Sequence, residues 1–286
     1  MTTDLTGRVA LVTGAGHNIG RAITGRLAEA GAAVAVADVD PAAAEAVTGE
    51  LRSAGHVAFP AIGDFSDVDV VDDTIDRVEA ELGTIDVLVN NAYARLGATS
   101  FLPFLQVDAD DWLRFVAVNT TLFYAPTQRV ARSLARAGRS GSIVNISSHG
   151  AARAHRRHIP YDSVKGAMES FTRAVAVDLA PWNIRVNAIR PGTIDVQDDP
   201  LDWTRADGQP DVRSAQIPLG RTGHGSEVAD VVLFLASNQS SYVTGQIFNV
   251  DGGLAVQARP PQVEPDALAT PNTLIDFPSR LRLRTR

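Results

Sequence analysis

Residues 9–20 read Val-Ala-Leu-Val-Thr-Gly-Ala-Gly-His-Asn-Ile-Gly, and this stretch decides the fold. Val9 to Val12 form a short apolar run of the kind that is buried on both faces of a parallel sheet. Gly14, Gly16 and Gly20 follow in GxGxxxG spacing, and a helical pattern then covers 19–30. A glycine-rich turn between a strand and a helix lets the backbone approach a pyrophosphate. The helix N-terminus adds free N–H groups and a positive dipole. Taken alone, the same residues serve a tight strand–helix turn that binds nothing. Two features favour a dinucleotide. The turn follows the first strand, and Asp38 stands eighteen residues beyond Gly20 at the end of the second apolar run. A carboxylate there binds both ribose hydroxyls and repels a 2′-phosphate, which selects NAD. The plain alternative for Asp38 is a strand-end cap.

Outward from this turn the chain alternates. Strands are expected at 9–12, 33–37, 57–62, 86–89, 142–146, 184–189 and 246–250. Helices are expected at 19–30, 41–54, 68–82, 108–137, 161–179 and 227–236. Strict alternation implies an α/β fold with a doubly wound parallel sheet of about seven strands, in the order 3-2-1-4-5-6-7. One catalytic domain is expected over 1–253. Within it, 195–216 is polar and reads as a lid loop over the substrate. Residues 254–286 hold five of the fifteen prolines and read as an extension, disordered or packed on a neighbouring subunit.

Composition narrows the chemistry. The 286 residues are 45% hydrophobic, with a net charge of -7 and no cysteine. Thiolate nucleophiles, thiolate metal sites and disulfides are thereby excluded. The acidic balance argues against nucleic acid and anionic membranes as partners. No apolar run reaches the roughly 20 residues of a membrane span, and no signal peptide is expected at the start. A cytoplasmic protein acting on a small molecule fits these features. Of the 26 basic residues, Lys165 is the only lysine. It lies four residues after Tyr161, on the same face of a helix. A chain that uses arginine for every other cation keeps lysine here for a task that a guanidinium does poorly: donating to ribose hydroxyls and exchanging a proton. The bland reading is a helix-surface pair. Tyrosine titrates near 10, so service as a base near neutral pH requires a shift of roughly 2–3 units. Lys165 and a positive cofactor ring both favour tyrosinate.

Several motifs together resemble the short-chain dehydrogenase/reductase family. They are the glycine turn, the 90–93 stretch Asn-Asn-Ala-Tyr, Asn119, the 143–148 stretch ending in Ser147 and Ser148, the Tyr161/Lys165 pair, the 190–195 stretch Arg-Pro-Gly-Thr-Ile-Asp, and the 250–253 stretch Val-Asp-Gly-Gly. The resemblance runs from Val9 to Gly253. Asn18 stands where a middle glycine is usual, and asparagine is the non-glycine residue best suited to a left-handed turn. Tyr93 replaces a glycine and adds bulk near the cofactor or the pocket mouth. The resemblance implies a single-domain Rossmann fold and an NAD-dependent exchange of a secondary alcohol and a ketone. Within it, Tyr161 is the general acid/base and Ser148 holds the substrate oxygen. Lys165 supports the tyrosine, and Asn119 holds a water in a proton relay. Ser148 is preferred to Ser147 because it precedes Tyr161 by thirteen residues, the family's usual separation. The implied cofactor contacts are Gly14, Gly16, His17, Asn18, Ile19, Gly20, Asp38, Val39, Asp64, Phe65, Asn91, Ala92, Tyr161, Lys165, Pro191, Gly192 and Ile194. A homotetramer or homodimer is implied, using the 108–137 and 161–179 helices.

The substrate side is more open. Tyr93, Arg153, His155, His158 and Trp203 are candidates for the pocket. The basic loop at 153–158 fits a carboxylate or phosphate, and it fits equally a solvated loop or a subunit contact. His149, His155 and His158 lack carboxylate support in the sequence, so no metal is expected. Alternatives are a 3-oxoacyl-thioester reductase, an epimerase or dehydratase using transient hydride transfer, and a non-catalytic NAD-binding regulator.

Overall fold

A computed structural model describes residues 3–97, 102–195 and 214–258. The apolar runs become strands because they are short, rich in valine and isoleucine, and followed by well-capped helices. The order is β1 (Val9–Thr13), α1 (Asn18–Glu29), β2 (Ala33–Asp38), α2 (Pro41–Ser53), β3 (Ala58–Ile62), α3 (Val68–Leu82), β4 (Val87–Asn90) and α4 (Ala109–Ala137). There follow β5 (Gly141–Ile146), α5 (Ile159–Leu179), β6 (Ile184–Pro191), β7 (Ile194–Asp195), β8 (Gly223–His224), α6 (Gly225–Ala236) and β9 (Ile247–Val250). Asp40, Asp67 and Asp108 each cap a helix by accepting backbone N–H bonds, at α2, α3 and α4. Helix α1 begins after His17, whose side chain makes no cap bond. Helix α5 starts two residues earlier than the sequence pattern suggested, because Pro160 suits its first turn.

Seven strands form one parallel sheet in the order β3-β2-β1-β4-β5-β6-β9, as expected. Apolar clusters cover both faces. One joins α1, α6 and β1, with Ile23, Leu27, Val232 and Leu233 at its centre. The other joins α3, α4 and the opposite face, around Leu11, Ile75, Leu88 and Leu134. The chain reverses its winding direction between β1 and β4, and a crevice opens there at the C-terminal ends of the strands. The pairing of β7 with β8 was not foreseen. It places His224 in a short strand just before α6. The 196–213 part of the expected lid, with Trp203, and the extension from 259 onward lie outside the described residues. No helix among the described residues is long and apolar enough to cross a membrane.

The N-terminal end of the sheet is held by Asp86, which is 2% exposed. Its carboxylate accepts from the Val9 N–H at 3.0 Å, from Arg8 at 3.3 Å and from Arg139 at 2.5 Å. Removing it leaves a buried N–H and two guanidiniums without their acceptor. Asp86→Ala should therefore lower stability by about 2–4 kcal/mol in urea denaturation, somewhat discounted because both arginines are partly in water. The Michaelis constant should barely change, because the far end of the sheet carries the site.

Candidate active site

The first turn has the conformation that its sequence requires. Asn18 adopts φ 47°, the left-handed geometry for which asparagine is suited. A Cβ on Gly20 would lie 2.0 Å from the Gly14 carbonyl oxygen, so α1 presses directly on the turn. A Cβ on Gly16 would meet Ala43 at 2.6 Å and Asp38 at 2.9 Å. Glycine at these positions lets the turn pack this tightly against α1, Ala43 and Asp38, and a tight turn ahead of a helix N-terminus is the cradle expected for a pyrophosphate. Asp38 is both strand-end brace and candidate ribose ligand. Its carboxylate accepts the Gly16 N–H at 2.9 Å and the Asp40 N–H at 3.1 Å. His17 and Val39 are exposed beside it, and Ile19 is partly buried. Asp64 accepts from the Ser66 backbone and hydroxyl, whereas the Phe65 ring is buried in the core. Phe65 thus reaches the crevice only through its backbone.

The loop after β4 is bonded to the turn. The Asn91 amide donates to the Thr13 and Gly14 carbonyls at 3.0 and 2.9 Å, and the Thr13 hydroxyl accepts from the Asn91 and Ala92 N–H groups. Asn91 therefore shapes the cradle with its side chain. On the same loop, Asn119 of α4 grips Ala94 from both sides. Its oxygen accepts the Ala94 N–H at 3.0 Å, and its nitrogen donates to the Ala94 carbonyl at 3.2 Å. A further bond reaches Phe115 of its own helix. Tyr93 turns toward the pocket and not toward the first turn. Its ring meets the Tyr161 ring edge-on at 5.0 Å between centroids.

Ser148, Tyr161 and Lys165 meet beyond the end of β5. Tyr161 is hydrogen-bonded to Ser148, and burial, the largest influence, pushes its hydroxyl above the ordinary tyrosine range. The Ser148 bond and the Arg95 guanidinium act in the opposite direction. Lys165 is 4% exposed and donates to the Ile146 carbonyl at 2.7 Å. Burial pulls its ammonium down to about 8. Ser147 is turned away, bonded to Glu169 at 3.0 Å, and Glu169 is paired with Arg190. Ser148 is therefore the serine on the tyrosine, as the spacing suggested. Sequence reasoning did not single out Arg95. Its place just after the Asn-Asn-Ala-Tyr stretch was the available signal.

The Pro191 stretch closes the other side. Gly192 donates to Val250 at 2.8 Å, with Asp251 too close for any side chain at 192. Ile194 is buried in the small β7–β8 sheet. Of the basic loop, Arg153 donates to the Leu254 carbonyl, so it ties two segments together. His155 and His158 lie near Tyr161, with ring centroids 6.5 and 6.2 Å from its own. His149 and His155 approach to 2.9 Å between Nε2 atoms. Among the described residues no group of three or more His, Asp or Glu side chains is arranged to hold a metal ion.

This geometry has counterparts among known proteins. A family model described as enoyl-(acyl carrier protein) reductase matches residues 14–255. The chain is 40% identical over 250 residues to cis-4-hydroxycyclohexanecarboxylate dehydrogenase of Sinomonas cyclohexanicum, covering 86% of this chain and 96% of that protein. It is 35% identical over 252 residues to 3-oxoacyl-(acyl-carrier-protein) reductase of Thermotoga maritima, covering 88% and 99%. The crystal structure of gluconate 5-dehydrogenase from Burkholderia cenocepacia, in complex with NADP and tartrate, aligns with TM-score 0.81 at 34% identity, covering 89% and 98%. Matched over nearly all of its sheet and crevice, the chain belongs to the short-chain dehydrogenase/reductase family, oxidoreductases that act on CH–OH and ketone groups with a nicotinamide cofactor.

Proposed function

We propose that this protein is an NAD(H)-dependent dehydrogenase that interconverts a secondary alcohol and a ketone, with Tyr161 as general acid/base. The observation that carries this reading is the half-buried Tyr161, its hydroxyl bonded to Ser148, with Lys165 one turn further along the same helix face. Bound NAD supplies the hydride acceptor and a positive ring that favours tyrosinate. In oxidation Tyr161 takes the proton of the substrate hydroxyl, and in reduction it returns a proton to the same oxygen. Ser148 orients that oxygen and stabilises its developing charge. Lys165 holds positive charge behind the phenol and exchanges its proton readily, because burial leaves it near the working pH. Asn119 keeps the Tyr93–Ala94 loop in place, and through it the wall against which Tyr161 packs. NAD is preferred on this reading because Asp38 faces the turn with its carboxylate. A dimer or tetramer fits the apolar side chains left exposed on α4, on α5 and in the turn after α5: Tyr124, Val177 and Trp182.

Two relatives are named for hydroxy acids, and Arg95 gives the pocket a cation near Tyr161. Hydroxy acids are therefore the first substrates to screen. A second reading, reduction of a 3-oxoacyl thioester, is favoured by the Thermotoga relative. Turnover of such a thioester, with none of any hydroxy acid, would select it.

Tyr161→Phe should lower kcat by about a thousandfold or more while cofactor still binds, consistent with loss of proton transfer and of charge stabilisation together. Surviving turnover would sink the assignment. Asp38→Ser should raise kcat/KM for NADP by about tenfold and lower it for NAD. A natural enzyme that already prefers NADP would contradict the role given to Asp38. Lys165 binds its proton less tightly folded than unfolded. The cost of burying its charge is therefore present at neutral pH and is relieved as pH rises from about 8 toward the free-lysine value. Lys165→Met should abolish turnover yet keep or raise the thermal midpoint at pH 7, and calorimetry across that pH window checks the sign.

A further inference from the structure

Four polar groups at the mouth of the pocket form a chain. The Pro191 carbonyl faces His149 Nδ1 at 3.3 Å. His149 Nε2 faces His155 Nε2 at 2.9 Å, and His155 Nδ1 faces Asp162 Oδ1 at 2.8 Å. The other Asp162 oxygen accepts the His155 backbone N–H at 2.7 Å. A Cβ on Gly150 would lie 2.2 Å from Asp162 and 2.9 Å from His155, so the carboxylate and ring are packed against bare backbone.

Proton counting fixes the charge of this chain. The carbonyl and the carboxylate are both acceptors, so each imidazole places a proton on Nδ1. With only those two protons, two Nε2 lone pairs would face each other at hydrogen-bond distance. A third proton, on one Nε2, satisfies every group and gives the pair one positive charge. Burial, followed by the nearness of His155, pulls the His149 pKa down, and His155 is the ring bonded to the Asp162 carboxylate. The charge therefore sits on His155, against Asp162. His155 donates to both Asp162 and His149, and His149 donates to Pro191.

Asp162 directly follows Tyr161, and its negative charge disfavours tyrosinate. We propose that the singly protonated His155–His149 pair is a positioning and charge-balancing element for Tyr161. It neutralises the Asp162 carboxylate beside the reactive phenol and ties the 149–158 loop to the Pro191 strand. The inference rests on Tyr161 being the acid/base. The other groups facing this cluster are Lys165 on α5, Arg95 and Tyr93 after β4, His158 on the loop, Ser148 after β5, and Asp251 after β9. Arg95 and Lys165 are retained in every variant below, so their contributions are common to all profiles and the His155–Asp162 contribution is read from the differences.

The pH profile of kcat/KM for alcohol oxidation gives the first test. His155→Gln should move the limb belonging to Tyr161 upward by about one pH unit, because Asp162 is left uncompensated. Asp162→Asn should not move it upward, and the double variant His155→Gln/Asp162→Asn should return it to within about half a unit of the natural enzyme. A limb that stays in place in His155→Gln, or a double variant shifted as far as His155→Gln alone, would overturn the proposal. Nitrogen-15 NMR of histidine-labelled protein tests the chain without using activity. One Nε2–H with a low-field proton should appear in the natural chain and in Tyr161→Phe, and vanish in both His149→Gln and His155→Gln. Its absence from the natural chain would also overturn the proposal. If Tyr161→Phe keeps its turnover while this signal is present, the acid/base assignment has failed and the protonated pair stands.

Discussion

The crevice depends on the cross-link between the ends of β1 and β4. A parallel sheet that reverses its winding leaves its two central strands diverging at their C-terminal ends. Here Asn91 and Ala92 close that gap by donating to the Thr13 hydroxyl and to the Thr13 and Gly14 carbonyls. Each further part of the site hangs from this junction. The cradle is fixed because Asn91 holds the Thr13 and Gly14 carbonyls, and Gly20 fits because α1 then rests on that same carbonyl oxygen of Gly14. The loop leaving β4 is gripped by Asn119, which sets Tyr93 against Tyr161. One pair of side chains thus places the cofactor cradle and the phenol in a single frame.

The price of that frame is an ammonium kept almost out of water. Lys165 has a single protein acceptor, the Ile146 carbonyl, among its hydrogen bonds within the described residues. Helix α5 compensates one turn further on. There Glu169 receives Ser147 and Arg190 in a compact pair that welds the helix to β6. A fold optimised only for stability would place an apolar side chain at 165. The helix tolerates the cation because its neighbours are heavily braced.

The fold was legible because strand burial, helix periodicity and chain direction all speak through local sequence. Val9–Val12 states its strand within four residues, whereas the capping roles of Asp40, Asp67 and Asp108 emerged from the structure. Asn18 announced a left-handed turn, and Tyr161 with Lys165 announced a shared helix face. What stayed hidden depends on contacts between distant segments. Nothing local in the sequence shows that Asn119 grips the Ala94 backbone. Sequence left Arg153 open between an anion ligand and a loop contact, and it could not show the bond to a carbonyl 101 residues away. The histidines looked unsupported because Asp162, their carboxylate, lies across a loop and on the next helix. The short β7–β8 pair is too brief to leave any periodicity.

The bond from Arg153 to Leu254 has one more consequence. Gln257 donates in turn to the Gln216 carbonyl at 2.6 Å, so three stretches of chain, remote in sequence, share the rim of the crevice. A rim joined in this way behaves as one mechanical hoop. Loosening it at the C-terminal stretch removes a bond of the histidine loop and a bond of the segment before α6 together, so the three stretches share one local stability.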